Sequence, residues 1–372
     1  MNNIKKKIGR MIPFQLKIFV RFSQRCYNII FQRNKLQIYD GGGNFNDIIK
    51  TSIERIKIES SNDITISVAH LKRDIILCYV FYGFTPIDYY LFNFHKENSS
   101  WKSRKTFVSD VYKDYKLFWK EGEEKYMELY DKYMFYKRTN GYFNRAVMFV
   151  NEDTKESDFM EFVLRIQDLF IKSNSDSYGR GAFATVVHTD EEAKDLFNKV
   201  RNKSYIVEER LRQHEVMSKW NVTSLNTVRI NTYLTDKGFH VLAPFMRTGR
   251  KGSIVDNGGA GGVFASIDVK SGLIITDGYD ENGCCYPLHP DSKVPYKGVQ
   301  IPEWRALLEL AEEIHRNCMS NHIYIGWDFA YTDRGWTLVE GNWGQFICQQ
   351  TSTKRGFKSD FDNFMSGNSL SK

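Results

Sequence analysis

Apolar residues predominate through Ile325-Gly326-Trp327-Asp328-Phe329-Ala330, give way to a polar stretch at Tyr331-Thr332-Asp333-Arg334-Gly335, and return through Trp336-Thr337-Leu338-Val339-Glu340-Gly341-Asn342. The pattern predicts two paired strands joined by a short hairpin connection, because such a connection takes polar residues and a glycine. Further strand-like segments are read at Ala146–Val150, Leu169–Lys172, Ala182–Val187, Tyr205–Glu209, 226–231 and Val241–Met246. Helical spacing is read over Ile48–Ile58 and through the charged, aromatic stretch Trp101–Tyr136. The apolar run from Ile75 to Phe84 is expected to be a core strand.

Chemistry collects on these segments. Asp328, Glu340 and Asn342 all offer oxygen, and residues two apart on a strand share a face, so Glu340 and Asn342 point the same way. Oxygen-only ligation suits Mg²⁺ held against phosphates. Lys172 ends its strand and leads into a loop with Gly179 and Gly181, where an ammonium and unobstructed backbone N–H groups can meet phosphate oxygens; a plain surface hairpin has the same sequence. Thr227 and Arg229 share a face opposite Val228 and Ile230, so Arg229 serves either to stabilise a transferred phosphoryl group or to make a surface salt bridge. Arg247 is the equivalent candidate one strand away. The stretch Asp256-Asn257-Gly258-Gly259-Ala260-Gly261-Gly262 is too glycine-rich for a strand; its backbone donors suit an anion or an acyl phosphate, unless it is only a flexible connection.

An Asp on one strand followed about a dozen residues later by Glu-x-Asn resembles the metal-binding signature of the ATP-grasp enzymes. The wider segment, from Ser224-Leu225-Asn226-Thr227-Val228-Arg229-Ile230 through Asp256-Asn257 and Gly261-Gly262 to Gly326-Trp327-Asp328, resembles the sugar-transfer-associated subgroup, over roughly residues 130 to 350. The resemblance implies ATP and Mg²⁺ as cofactors, with Asp328, Glu340 and Asn342 as metal ligands. It implies Lys132 and Lys172 as nucleotide lysines, Gly179 and Gly181 in the phosphate loop, Glu208 on the adenine side and Glu215 on the ribose. Asp256, Asn257, Gly261 and Gly262 fall on the family's substrate-side loop, and Arg229 and Arg247 are the catalytic candidates.

At 372 residues, with 42% hydrophobic and 15% aromatic content, the chain is long enough for two or three packed lobes. A formal charge of +7 favours anionic partners without selecting among them. The cysteines form neither a disulfide framework nor a CxxC zinc pattern, and adjacent Cys284 and Cys285 cannot wrap one zinc. No apolar stretch approaches the roughly 20 residues that span a bilayer. Residues 1–35 carry many Lys and Arg and no acidic residue, interleaved with apolar residues. That segment is either an amphipathic helix on an anionic membrane surface or a helix packed on the body with a solvated basic face. A GxSxG elbow, a Walker A lysine and the kinase HRD and DFG motifs are all missing from the sequence.

The expected class is therefore α+β, an ATP-grasp fold with two α+β lobes sandwiching ATP, preceded by an α/β or helical region. The expected division is 1–35 basic segment, 36–130 N-terminal region, 131–216 first lobe, 217–352 second lobe with the metal site, and 353–372 tail. The resemblance implies a carboxylate-amine ligase acting through an acyl phosphate, its partners a small or sugar-linked carboxylate and an amine, in cell-surface polysaccharide biosynthesis. A kinase acting on a sugar hydroxyl and a non-catalytic nucleotide-binding accessory protein of glycan assembly are the alternatives. Expected location is the cytoplasm, with membrane-surface contact through residues 1–33 at the inner face and no nucleic-acid partner.

Overall fold

A computed structural model describes residues 14–36, 43–60, 67–175, 181–250, 252–256 and 258–366. The chain separates into two compact units, Met1–Tyr115 and Lys116–Lys372.

Among the described residues the first unit is helical: α1 (Phe14–Tyr27), α2 (Phe45–Glu59), α3 (Val68–Tyr82), α4 (Pro86–Leu91) and α5 (Trp101–Arg104). The run Ile75–Phe84, expected to be a strand, lies largely inside α3. Its buried residues Leu71, Ile75 and Cys78 recur at helical spacing, Ser67 caps the start through the His70 amide, and Gly83 stops the helix at φ 75°. A short apolar run alone does not separate buried strand from buried helix, and the caps outside it decide the matter. Phe84, Phe92, Phe94 and Phe107 pack into an aromatic core. Beside them Arg104 grips Asp74 with both Nη atoms, at 2.8 and 2.6 Å.

The second unit begins with α6 (Asp110–Glu121, from residue 116 on), α7 (Glu123–Tyr130) and α8 (Lys132–Thr139). A four-stranded antiparallel sheet of order β1-β4-β2-β3 is built from β1 (Val147–Val150), β2 (Asp168–Ser173), β3 (Phe183–Val186) and β4 (Tyr205–Glu209). Helices α9 (Glu156–Ile166) and α10 (Asp190–Val200) cover one face, burying Phe159, Val163, Leu169, Ile171, Phe197 and Val207. Alternation along β2 and β4 then turns Lys172 and Glu208 to the other face.

A seven-stranded antiparallel sheet follows, of order β11-β10-β5-β6-β7-β8-β9. Its strands are β5 (Val228–Thr235), β6 (Gly238–Thr248), β7 (Val263–Ser266), β8 (Gly278–Tyr279), β9 (Cys285–Tyr286), β10 (Tyr324–Thr332) and β11 (Gly335–Asn342), with the short α11 (Glu215–Ser218) preceding β5. Helix α12 (Trp304–Cys318) packs on one face, where His315 and the Trp327 indole N–H both reach Thr232 Oγ1 at 2.7 Å. On the opposite face α13 (Ile347–Thr353) meets β7 through a 2.7 Å hydrogen bond between Ser352 and Ser266. Phe364 of α14 (Lys358–Met365) stacks on Tyr233 there, with ring centres 4.9 Å apart. That second face carries the candidate chemistry.

Candidate functional site

Strands β10 and β11 form the expected hairpin, with a tighter turn than the polar stretch suggested: Thr332 pairs with Gly335, leaving Asp333 and Arg334 at the tip. Gly335 has φ 86°, a conformation in which a Cβ is strained. The register slips beside Asp328: Asp328 faces Glu340, whereas Phe329 faces Leu338. A bulge at Val339 thus bends the edge strand next to the chemistry.

Asp328 and Glu340 are directly opposed carboxylates, an unfavourable pair unless cations or donors compensate. The Asn342 amide donates to both, at 3.1 Å to Asp328 Oδ2 and 3.0 Å to Glu340 Oε1. Arg229 faces Asp328 across the next strand pair and grips both of its oxygens, its Nη2 lying 2.6 Å from Oδ2. Arg247 adds a contact of 2.9 Å to the same oxygen. Asp328 is fully buried; burial pushes its carboxyl up, but the Arg229 and Arg247 charges outweigh that and hold it below the usual carboxylate range. Burial likewise pushes the Arg247 guanidinium down, and Asp256, Asp328 and Glu340 together raise it above the ordinary value.

Arg247 also lies 3.6 Å from Asp256, whose Oδ2 accepts from the Thr227 amide at 3.0 Å and from the Thr227 hydroxyl. This web ties the glycine-rich segment to β5 and β6. Gly261 sits at φ 82° and its N–H donates to Gly258 O at 2.7 Å; Gly262 is buried just before β7. At Gly258 a Cβ would fall 2.1 Å from Glu281 Oε1, so the loop passes hard against a carboxylate that the sequence reading did not single out. Gly179 and Asn257 lie outside the described residues; Gly181 is exposed at φ 72° just before β3.

From the smaller sheet, Lys172 Nζ lies 2.8 Å from Glu208 Oε1 and Arg145 Nε 3.0 Å from Glu208 Oε2. Burial pushes the Glu208 carboxyl up, yet Arg145 and Lys172 prevail and hold it below the carboxylate range. Arg145 was missed in the sequence. It stands outside any motif, but its guanidinium also donates to Leu338 O at 2.7 Å and Phe143 O at 3.1 Å, so one side chain joins Glu208 of the smaller sheet to β11 of the larger. Its position just before β1, outside any motif or repeat, left no signal to find it by.

Some of these groups share one narrow cleft, lined on one side by Lys132, Lys172, Ile206 and Glu208 and on the other by Val339, Glu340 and Gly341, with Phe135, Tyr136 and Phe143 closing it; Asp328, Asn342, Arg229, Arg247 and Asp256 are not part of its lining. Lys132 is the first residue of α8, where Asp131 caps the helix by accepting from the Tyr133 and Met134 amides. Its neighbours turn elsewhere: Lys137 lies over the Tyr133 ring and Arg138 pairs with Glu128. Gly341 permits the close approach of α8, since a Cβ there would lie 2.3 Å from the Phe135 ring. Glu215 is not brought into this cleft lining; it starts α11 with an exposed side chain.

Asp328, Glu340 and Asn342 suit a hard divalent cation by donor type: two carboxylates bridged by the Asn342 amide N–H groups, the amide oxygen being the third donor, with Glu340 facing the cleft. Among the described residues no group of three His, Cys, Asp or Glu side chains is arranged to hold a metal, so a site here needs the Asn342 amide as its third donor.

The family model for sugar-transfer-associated ATP-grasp proteins matches residues 113–365. The chain belongs to that family. ATP-grasp is accordingly its fold, the two sheets of Lys116–Lys372 forming the paired lobes. Comparison with curated protein sequences gave no match. Among solved structures, D-alanyl-alanine synthetase A from Vibrio cholerae O1 is similar at 11% identity, over 66% of this chain and 67% of that one, with a TM-score of 0.41. The VanG D-Ala:D-Ser ligase from Enterococcus faecalis aligns at 14% identity over 64% and 61% of the two chains, also with a TM-score of 0.41. The ATP-grasp ligase PsnB, solved with a minimal precursor, aligns at 10% identity over 72% and 71%, with a TM-score of 0.39.

Proposed function

We propose that this chain is an ATP-dependent carboxylate-amine ligase. The observation that carries the reading is a cleft shared by Lys132, Lys172 and Glu208 of one lobe and Glu340 of the other, residues that lie far apart in sequence. Two ammonium groups, one of them paired with Glu208, set across from the Glu340 carboxylate suit a polyphosphate with a bound divalent cation better than a neutral ligand.

In the proposed reaction the nucleotide lies between the sheets. Lys132 and Lys172 bind its phosphates, and Glu208, kept ionised by Arg145, orients Lys172 and accepts from the base. Asp328, Glu340 and Asn342 are the residues to hold magnesium, which when bound neutralises phosphate charge. A substrate carboxylate oxygen attacks the γ-phosphorus, the bond from that phosphorus to the bridging oxygen breaks, and ADP leaves. Arg247, held between Asp328 and Asp256, faces the charge that develops, and the backbone donors around Gly261 and Gly262 cradle the acyl phosphate. An amine then adds to the acyl carbon, gives up its proton, and expels phosphate to leave an amide. Glu215 is proposed as a ribose ligand only if α11 moves toward the nucleotide.

The family assignment favours a sugar-linked acid or amine and a place in cell-surface polysaccharide assembly in the cytoplasm. Mg-ATP turnover across amino acids, uronic acids and nucleotide sugars tests the reading, with Glu340→Ala alongside. Release of ADP and phosphate that needs both a carboxylate and an amine, and is lost in the variant, is the expected result. ADP release without free phosphate makes the protein a kinase instead.

A further inference from the structure

The N-terminal helix shows which way its apolar residues face. Ile29 is buried, and Arg25 turns inward, its Nε donating to Val80 O at 2.9 Å, while Phe22 meets Phe81 with ring centres 5.5 Å apart. Those contacts fix the inner face of α1. Outward stand Phe19, Val20, Tyr27, Ile30 and Phe31, with exposures of 63, 54, 49, 68 and 71%. Asn28 to Gln32 form a π turn, in which Ile29 is buried while Ile30 and Phe31 both stand outside. Tyr27 and Phe31 close into a ring pair 5.1 Å apart. Scattered exposed apolar residues need no explanation, but a continuous set on one helix face does.

Charge identifies what covers it. No acidic residue precedes Asp40 in the sequence. Arg33 and Lys35 are exposed beside the apolar stripe, Arg21 at its edge lies over the Tyr115 ring at 4.8 Å, and Lys5, Lys6, Lys7 and Arg10 precede it in the chain. An apolar stripe whose neighbours in its own segment are cations and neutral polar residues such as Ser23, Gln24 and Gln32, with no carboxylate, matches a surface with hydrocarbon beneath and negative charge above. Among the described residues no helix is long and apolar enough to cross a membrane, which leaves lying in the interface.

We propose that the outer face of α1 and its π turn docks on an anionic lipid surface, with Phe19, Val20, Tyr27, Ile30 and Phe31 entering the headgroup boundary and Arg33 and Lys35 meeting the lipid charge. The proposal is independent of the ligase reading.

Flotation of the full chain with vesicles of equal phosphatidylglycerol and phosphatidylcholine, against phosphatidylcholine alone, tests it. Binding is expected only to the anionic vesicles, falling with added salt. Arg33→Gln and Lys35→Gln are expected to weaken it roughly fivefold each. Ile30→Ser and Phe31→Ser should each weaken it on the order of tenfold. All four positions are exposed, and an unchanged circular-dichroism melt will show that each variant is folded. Equal binding to both vesicle types, or variants that float like the native chain, overturns the proposal. So does a concentration-dependent dimer that Phe31→Ser dissociates while vesicle binding is absent, since the face then belongs to a second copy.

Discussion

Replacing Arg145 with methionine removes the one side chain that ties Glu208 to the carbonyls of both Phe143 and Leu338. The Arg145 side chain is 1% exposed and that of Glu208 5%, so water does not take over the lost contacts. Breaking a buried ion pair by deleting one partner costs about 3–5 kcal/mol, because the remaining charge stays buried. Lys172 still faces Glu208 at 2.8 Å, which places the expectation at the lower end, about 3 kcal/mol. The sign with pH follows from the direction of the shift. Glu208 is held below its ordinary value, so its contribution is present above the unfolded pKa and is lost as pH falls through the folded one. Without Arg145, burial raises the carboxyl and acid unfolding begins at a higher pH. Urea titrations at neutral pH and an acid titration, both followed by tryptophan fluorescence, measure the two effects; Trp220, Trp304, Trp327, Trp336 and Trp343 all lie in this unit. A double-mutant cycle with Glu208→Gln isolates the pair. A loss below about 1 kcal/mol with an unmoved acid midpoint would refute the argument that Arg145 is what keeps Glu208 ionised.

Two further outcomes are expected. Gly341→Ala drives a Cβ into the Phe135 ring; overpacking of this kind costs about 1–3 kcal/mol, and nucleotide affinity should fall with it because the cleft wall is displaced. Combining it with Phe135→Leu should recover part of both, as read by urea unfolding and nucleotide titration. Burial pushes the His315 and His322 imidazoles down to about 4, so both are neutral in the folded protein. The unfolded chain binds more protons between the ordinary value of 6.5 and about 4, and stability should therefore decline as pH falls through that window. His315→Asn is expected to flatten the decline, and an unchanged slope in urea titrations across the window counts against it.

How much of the site could be read in advance depended on how local its causes are. The hairpin of β10 and β11 was legible because two largely apolar segments, a polar break and a turn glycine are properties of adjacent residues, and the shared face of Glu340 and Asn342 follows from their spacing of two along one strand. The strand segments around Lys172 and Glu208 were legible likewise. The helix covering Ile75–Phe84 was not, because an apolar run has the same composition in either form and the caps that distinguish them lie at its margins.

What the sequence by itself determined was therefore the α+β class, the segments and the faces their side chains take, all governed by periodicity over a few residues. Only the tertiary structure decided who meets whom. The Arg229 and Arg247 contacts to Asp328 depend on strand register and on the order in which the β5, β6 and β10 neighbours pair. Arg145 reaches across from one sheet to the other, and α11 leaves Glu215 outside the cleft. Such contacts join residues separated by up to a hundred positions or more, and they are selected by which buried charges find partners when the sheets close together, a condition on the whole fold that no local pattern encodes.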